Sequence, residues 1–385
     1  MGGGVKRLAV LGSTGSIGVQ TLEVVHHCSE RFSVVGLAAG RNVDLLARQA
    51  QEFRPLLVSF HNTGDGHAES SLLSSSPGCQ LVSLEEMAGH PDVDLVVMAT
   101  SGMAGLAPTL AAIRAGKNVA LANKEVLVMA GEVVMAEATK YNVDILPVDS
   151  EHSAIWQCLQ GESRDEVSRL ILTASGGPFY RHTMEQMETI TPEAALRHPT
   201  WKMGEKVTVD SATLMNKGME VVEARWLFGL PPRSIQILVH PGSIVHSMVE
   251  FVDGSVKAQL SMPDMRLPIQ YALSYPERVS NRYTSRMDWT GPVSLDFEPP
   301  DLSRFPCLAL AIEAAEAGGT STAVLAAADE VAVGLFLSHR IGFLDIARLV
   351  EHTLGRHCRI DHASLEDILA ADAWARESAE TWKAG

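Results

Sequence analysis

The sequence predicts an α/β protein with a doubly wound parallel sheet, a central α/β catalytic region and a C-terminal α-helical bundle. Residues 1–149 alternate short β-branched runs with helical patterns, which is typical of a parallel sheet covered by helices. Gly, Pro, Ser, His and Met become dense in residues 150–275, where we expect a catalytic domain with a flexible lid loop. A Pro-rich stretch, 276–306, indicates a linker. Residues 307–385 carry Ala, Leu and Glu at helical spacing, which predicts the bundle.

The elements of the first part follow in order along the chain. The candidate strands are short apolar runs at residues 7–11, 33–37, 56–59, 94–99, 118–121 and 143–148. The helical patterns between them cover residues 18–27, 42–53, 106–115 and 124–140. Residues 61–90 interrupt the alternation with a polar stretch, which we interpret as a loose connection.

Length and charge limit the classes of function. A chain of 385 residues predicts two to three domains at roughly 150 residues per domain. Lys and Arg total 31 against 46 Asp and Glu, and this acidic balance argues against nucleic acid or an anionic membrane as a partner. No apolar run approaches the ~20 residues of a membrane span. Five widely spaced cysteines form no CxxC pair, which favours a reducing, cytoplasmic location.

A glycine-rich turn follows the first predicted strand. The segment GSTGSIG places Gly12, Gly15 and Gly18 between that strand and a helix. Glycines permit a tight turn and a close approach of the backbone to a pyrophosphate at the helix N-terminus, as in Rossmann-like domains. A tight turn with no ligand is also compatible with this pattern.

The end of the second predicted strand distinguishes the two nicotinamide cofactors. NAD-binding folds usually carry an acidic residue there for the ribose 2′-hydroxyl, but this segment has none before Asp44. Arg41 stands instead where a 2′-phosphate needs a cation, which favours NADPH over NADH. The alternative is that Arg41 is a solvated side chain before a helix capped by Asn42.

Two carboxylates follow the last strand of the predicted sheet. In extended chain, the D-x-E of Asp149 and Glu151 directs both carboxylates to one side, where they can share one cation. Hard oxygen ligands without a cysteine favour Mg²⁺ or Mn²⁺. A solvated loop end is the alternative interpretation.

A second cluster of polar residues stands in a Met-rich pattern. If the chain is helical from Ala212 onward, Asn216 and Glu220 share a face at i, i+4, with Lys217 beside them. This mixture suits a phosphate held by Ser211, Asn216 and Lys217 beside a metal bound by Glu220. The alternative makes Asn216 and Lys217 ordinary surface residues.

Two further stretches fit the same site. TASGGPF (173–179) follows an apolar strand, and its Ser and Gly N–H groups are able to form an anion nest. HPTWKMG (198–204) combines Gly, Pro, His and a large aromatic, as a mobile lid does. A buried Trp201 that anchors a loop is the alternative for the second stretch.

Six motifs in fixed order resemble one enzyme family. GSTGSIG, LANKE (121–125), VDSEHSA (148–154), TASGGPF, HPTWKMG and DSATLMNKGMEVVEA (210–224) are similar to those of 1-deoxy-D-xylulose 5-phosphate reductoisomerases. The resemblance covers essentially the whole chain. It implies a homodimer that binds NADPH, a divalent metal (Mg²⁺ or Mn²⁺) and a small sugar phosphate.

The resemblance also implies roles for individual residues. NADPH would contact Thr14, Gly15, Ser16, Ile17, Gly40, Arg41, Asn42, Asn123, Glu125 and Gly204. The metal ligands would be Asp149, Glu151 and Glu220. The sugar phosphate would contact Lys124, Ser150, Glu151, Ser175, His198, Ser211, Asn216, Lys217 and Glu220. Catalytic roles would fall on Lys124, Glu151 and His198, and Trp201 and Met203 would belong to the closing loop.

The implied reaction rearranges a ketose phosphate by a retro-aldol/aldol route and then reduces the aldehyde with NADPH to 2-C-methyl-D-erythritol 4-phosphate. This reaction belongs to the methylerythritol phosphate route to isoprenoid precursors. Two other classes remain open from the residues alone. One is an NADP-dependent oxidoreductase of the semialdehyde or homoserine type, whose activity would survive chelation. The other is a non-catalytic NADPH-binding sensor, which would tolerate loss of Lys124, His198 or Glu220.

Overall fold

The computed structural model of the protein describes residues 4–61, 78–198, 200–201 and 203–383. The chain forms two compact units. The first comprises Met1–Val126, Val134–Ser153 and Asp264–Ser285, and the second comprises Leu127–Val133, Ala154–Pro263 and Arg286–Gly385. The three-part division expected from composition stays a prediction of domain boundaries.

The first unit contains a seven-stranded parallel sheet with the order β4-β3-β2-β1-β5-β6-β7. Its strands are β1 (Lys6–Leu11), β2 (Phe32–Ala39), β3 (Leu57–Phe60), β4 (Gln80–Leu81), β5 (Leu95–Met98), β6 (Asn118–Leu121) and β7 (Ile145–Pro147). Residues Leu8–Leu11 of β1 are completely buried, and their apolar run is typical of a parallel strand covered on both faces. The strand order reverses direction between β1 and β5, the position at which α/β sheets bind ligands.

Helices alternate with these strands. They are α1 (Ser16–His27), α2 (Val43–Phe53), α3 (Leu84–Gly89), α4 (Leu106–Arg114), α5 (Glu125–Tyr141) and α6 (Ser150–Cys158). The α/β fold and the parallel sheet predicted from the sequence are confirmed.

The second unit contains a mixed four-stranded sheet and most of the later helices. The sheet has the order β11-β10-β8-β9 and consists of β8 (Val167–Ala174), β9 (Ile235–Val239), β10 (Val245–Phe251) and β11 (Val256–Leu260). Four α-helices of the described residues lie between β8 and β9: α7 (Met184–Met187), α8 (Pro192–Ala195), α9 (Glu205–Thr213) and α10 (Met215–Phe228). Helix α11 (Arg266–Ser274) belongs to the first unit. The predicted C-terminal bundle consists of α12 (Pro306–Ala317), α13 (Ser321–Leu337), α14 (Asp345–Arg356) and α15 (Leu365–Glu380).

Three local expectations were wrong. The polar stretch 61–90 is not a loose connection at its end, because β4 and α3 lie there and Ser83 and Glu86 form a capping box; residues 62–77 lie outside the described part. Glu151 is not on extended chain, since α6 begins at Ser150. The helix expected from Ala212 onward is broken at Leu214, whose φ of 61° separates α9 from α10.

No helix among the described residues has both the length and the apolar character needed to cross a membrane.

Candidate active site

The turn after β1 requires two of its glycines. Gly12 has φ +92°, and a Cβ atom there would lie 2.3 Å from the backbone oxygen of Ala99. A Cβ atom on Gly18 would lie 2.2 Å from the oxygen of Gly12. Only glycine fits both positions, so the turn brings the backbone of α1 directly against the end of β1.

The N-terminus of α1 is suited to an anion. Gly15 is the N-cap residue, no side chain caps the helix within the described residues, and the first turn carries no acidic residue. Gly15 and Ser16 are exposed, whereas Thr14 and Ile17 are half-buried. The first N–H groups of a helix lack partners within the helix and carry its positive dipole end. The pyrophosphate site at this turn stays a prediction.

Three residues predicted to contact NADPH, among them Arg41 for its 2′-phosphate, follow β2 directly. Gly40, Arg41 and Asn42 are all exposed. The Asn42 side chain accepts a hydrogen bond from Leu45 N at 3.1 Å, so it caps α2. Arg41 therefore lies between the carboxyl end of β2 and the residue that caps α2.

Asn123 holds the loop after β6. It is only 2% exposed, and its Nδ2 donates to the oxygen of Gly102 at 2.9 Å. Its Oδ1 accepts from Val126 N at 3.3 Å, and Glu125 begins α5 beside it. The side chain predicted to contact NADPH thus also connects two loops at the carboxyl edge of the sheet.

Lys124 and Asp149 form an ion pair in the first unit. Lys124 Nζ lies 2.6 Å from Asp149 Oδ2, and their side chains are only 11% and 14% exposed. The next residues start α6, where Ser150 Oγ donates to Glu151 Oε2 at 2.6 Å. An ammonium, two carboxylates and a hydroxyl therefore follow two neighbouring strands, β6 and β7.

In the second unit, the loop after β8 lies directly against the end of α9. Gly176 and Gly177 have φ of +84° and +67°, and a Cβ atom on Gly177 would lie 2.5 Å from the oxygen of Ser211. Gly177 N donates to Ser175 Oγ at 3.3 Å. The close approach at Gly177 thus places the loop of the predicted substrate residue Ser175 against Ser211, a second predicted substrate residue.

His198 connects the same loop to the segment before α9. Its Nε2 lies 3.1 Å from Ser175 Oγ, while its Nδ1 accepts the backbone N–H groups of Thr200 at 3.1 Å and Trp201 at 2.9 Å. Two donors at Nδ1 assign the ring proton of the neutral imidazole to Nε2, which then donates to Ser175. Burial lowers the pKa of His198, which favours this neutral form. Pro199 and Lys202 of the lid motif lie outside the described residues.

The first turns of α10 contain three predicted site residues, Asn216, Lys217 and Glu220. Glu220 is 1% exposed, and its two oxygens accept from Asn216 Nδ2 at 2.5 Å and from Lys217 Nζ. Lys217 is itself 3% exposed. The i, i+4 relationship predicted for Asn216 and Glu220 holds because both residues follow the break at Leu214. The alternative of surface residues does not hold for Lys217, because it is buried.

His246 was given no role from the sequence. Its Nε2 lies 2.8 Å from Ser261 Oγ, and its ring centroid is 6.4 Å from that of Trp201. Burial, with smaller effects of His240 and Lys217, lowers the pKa of His246 to about 4. The signal available in the sequence was HPGSIVHS, in which two histidines follow the apolar run IQILV and stand among small residues.

The predicted residues are thus found in two sets. The first unit holds the nucleotide residues, except Gly204, together with Lys124, Asp149, Ser150 and Glu151. The second holds Ser175, His198, Gly204, Ser211, Asn216, Lys217 and Glu220. A metal site formed by Asp149, Glu151 and Glu220 stays a prediction.

Comparisons with known proteins cover nearly the whole chain. Family models described as 1-deoxy-D-xylulose 5-phosphate reductoisomerase, its C-terminal domain, and the DXP reductoisomerase C-terminal domain match residues 8–131, 145–228 and 260–378. The reductoisomerase of Caldanaerobacter subterraneus subsp. tengcongensis is 52% identical over 97% of this chain and 98% of its own length.

Two solved structures agree with this result. The reductoisomerase from Zymomonas mobilis in complex with NADPH is 43% identical, with a TM-score of 0.90 over 98% of each chain. A DOX-P reductoisomerase in complex with NADPH, fosmidomycin and magnesium is 40% identical, with a TM-score of 0.92 over 98% of each chain. The protein therefore belongs to the 1-deoxy-D-xylulose 5-phosphate reductoisomerase family.

Proposed function

We propose that the protein converts 1-deoxy-D-xylulose 5-phosphate to 2-C-methyl-D-erythritol 4-phosphate with NADPH and a divalent metal, in the formation of isoprenoid precursors. The observation that carries the proposal is the end-to-end similarity to a reductoisomerase solved in complex with NADPH. The reaction first rearranges the carbon skeleton by a retro-aldol/aldol route and then reduces the resulting aldehyde.

The donor chemistry of the predicted metal ligands fits Mg²⁺ or Mn²⁺. Asp149, Glu151 and Glu220 offer only carboxylate oxygens, which hard divalent cations prefer. Asp149 and Glu220 are each paired with an ammonium group, Lys124 and Lys217 respectively, so positive charge already stabilises both carboxylates where they lie. A metal bound there would supply positive charge to two neighbouring oxygens of the substrate and make its hydroxyl more acidic.

The nucleotide residues fit NADPH, which would supply the hydride. The uncapped N-terminus of α1 supports pyrophosphate binding at Thr14–Ile17. Arg41 would pair with the 2′-phosphate through charge-assisted hydrogen bonds. Asn123 and Glu125 would line the nicotinamide end, and Gly204, the N-cap of α9, would contact the cofactor from the lid side.

The substrate phosphate is assigned to the polar groups of the second unit. The Ser175 and Ser211 hydroxyls, the Asn216 amide and the Nε2–H of neutral His198 are hydrogen-bond donors, and Lys217 adds a positive charge. This assignment is supported by the contact of the Ser175 loop with Ser211 and by the burial of Lys217.

Two residues of the first unit are proposed for proton movement and charge stabilisation. Lys124, held against Asp149, would polarise substrate oxygens, and Glu151, which accepts from Ser150, would exchange a proton with a substrate hydroxyl. The lid with Trp201 and Met203 would exclude water from the reactive intermediate.

We further propose that the protein is a cytoplasmic homodimer. The dimer is supported by the resemblance to the family, and the cytoplasm by five free cysteines, which suit a reducing compartment.

Consumption of NADPH, followed by near-ultraviolet absorbance with 1-deoxy-D-xylulose 5-phosphate and Mg²⁺ or Mn²⁺, tests the proposal. Parallel reactions contain EDTA, or NADH instead of NADPH. We expect turnover that requires the metal and the phosphorylated ketose. Activity that survives chelation would contradict the proposal and favour a metal-independent dehydrogenase. Absence of turnover in folded protein that still binds NADPH would favour a sensor.

A further inference from the structure

A buried ionic cluster lies where the lid segment enters α9. Lys206 stands in the first turn of this helix, two residues after Gly204. Its Nζ lies 2.7 Å from Asp210 Oδ2, one turn along α9, and 3.0 Å from Asp329 Oδ2 on α13. The predictions from the sequence gave no role to any of these three residues.

The burial of the two carboxylates makes the cluster costly to disturb. Asp210 is 1% exposed and Asp329 is completely buried, and the Lys206 ammonium contacts both carboxylates. Removal of one partner of a buried ion pair leaves an uncompensated buried charge, which is strongly destabilising. Burial is the main cause that raises the pKa of the Cys307 thiol on α12, and the charges of Asp329 and Asp210 raise it further. The charges of both carboxylates therefore also act on α12.

The position of α9 matters for the proposed chemistry at both of its ends. Its N-terminus continues the segment that carries Trp201 and Gly204, and its last turns carry Ser211. Ser211 in turn lies against Gly177 of the Ser175 loop. A shift of α9 along or away from α13 therefore moves Ser211, a proposed phosphate ligand, together with Gly204 at the end of the lid segment.

We propose that Lys206, through its ion pair with Asp329, is a positioning residue that anchors α9 to α13. This anchor holds Ser211 and the lid segment in the position in which they bind the sugar phosphate. The expected effect on KM rests on the proposed function, whereas the anchoring of α9 to α13 does not. Lys206 acts through α9 and does not itself contact the substrate.

A second ion pair on α13, between Arg376 and Glu330, provides a control. Arg376 of α15 bridges Asp372, one turn back on its own helix, at 2.8 Å and Glu330 of α13 at 2.7 Å. Glu330 directly follows Asp329 in α13. Arg376→Met therefore removes a similar bridge from the C-terminal bundle without removing the contact of α9.

The test compares Lys206→Met and Arg376→Met with the wild type by melting temperature, amide hydrogen exchange of residues 205–213, and steady-state kinetics. We expect faster exchange in α9 and a KM for the sugar phosphate raised about tenfold to hundredfold in Lys206→Met only. The loss should fall on KM rather than kcat, since the phosphate is remote from the reacting carbons. Lys206→Arg, which keeps the charge, should restore most of the affinity.

Asp329→Leu provides a second route if Lys206→Met does not fold, because it keeps the pair within α9 and removes only the bond to α13. Unchanged α9 exchange in these variants would overturn the inference, as would an equal rise of KM in Arg376→Met. Absence of turnover in the wild type would instead contradict the proposed function, while the exchange measurement would still decide whether the anchor exists.

Discussion

Trp201 donates its backbone N–H to Nδ1 of His198 at 2.9 Å, so an imidazole nitrogen helps to hold the lid segment. The same ring presents Nε2 to Ser175 Oγ at 3.1 Å. One side chain thus has two separable functions, one on each nitrogen. Asn and Gln place an amide near the Nδ1 and Nε2 positions respectively, so the two functions can be tested separately.

We predict that His198→Gln frees the lid segment, whereas His198→Asn keeps it ordered. Two backbone hydrogen bonds to Nδ1 contribute about 1–3 kcal/mol together, so His198→Gln should speed amide exchange of Thr200 and Trp201 about tenfold or more. His198→Asn should lose the contact with Ser175 and raise the KM for the sugar phosphate with normal lid exchange. Equal exchange rates in the two variants would contradict the assignment of the nitrogens.

Arg41→Ala should weaken NADPH binding more than NADH binding. A lost charge-assisted contact with the 2′-phosphate costs about 1.5–3 kcal/mol, which predicts a loss of about tenfold to hundredfold for NADPH. Arg48, also exposed on α2, provides the control, because Arg48→Ala should change both affinities little. Titration with NADPH or NADH, followed by protein fluorescence, measures the affinity of each variant for both cofactors. Equal losses of affinity for NADPH and NADH in Arg41→Ala would exclude the 2′-phosphate role.

Glu220→Gln should abolish turnover and weaken Mn²⁺ binding while NADPH still binds. The substitution removes a negative charge next to buried Lys217 and should cost about 3 kcal/mol of stability. Mn²⁺ titration followed by electron paramagnetic resonance measures the ion without reference to activity. Glu250→Gln, which breaks the pair with Arg169 on the second sheet, should leave Mn²⁺ binding unchanged. Normal Mn²⁺ affinity in Glu220→Gln would remove Glu220 from the metal site.

Gly177→Ala should impair substrate binding, whereas Gly254→Ala should only reduce stability. Both glycines have positive φ, which costs an L-residue about 1–2 kcal/mol. A Cβ atom at Gly254 meets nothing within 4 Å, but one at Gly177 would lie 2.5 Å from the oxygen of Ser211. Melting temperature and the KM for the sugar phosphate separate strain from displacement of Ser211. A normal KM in Gly177→Ala would show that the close approach has no role in binding.

His246 should make stability depend on pH below neutrality. Its pKa in the folded protein is about 4, against an ordinary value near 6.5, so the unfolded chain binds more protons between these values. Stability should therefore decrease by up to about 3 kcal/mol as the pH falls from about 6.5 to about 4. Urea unfolding of the wild type and of His246→Gln across this range measures the difference, and parallel pH profiles would contradict the prediction.

The local features of the fold could be predicted from short stretches of sequence. Glycine positions, β-branched runs and helical spacing act over a few residues, so the turn at Gly12, the parallel strands and the C-terminal helices were predicted correctly. The capping box of Ser83 and Glu86 has the same local origin, and its S-x-x-E pattern was available in the sequence but was not used.

Motif order and residue type determined the family and the set of candidate site residues. The tertiary structure alone decided which side chains meet, because contacts between distant segments depend on packing rather than on spacing. The left-handed Leu214 broke a helix that the pattern left continuous, and the start of α6 placed Glu151 on a helix. The tautomer of His198 and the bridge from Lys206 to Asp329 likewise exist only because folding brings separate helices and loops within hydrogen-bond distance.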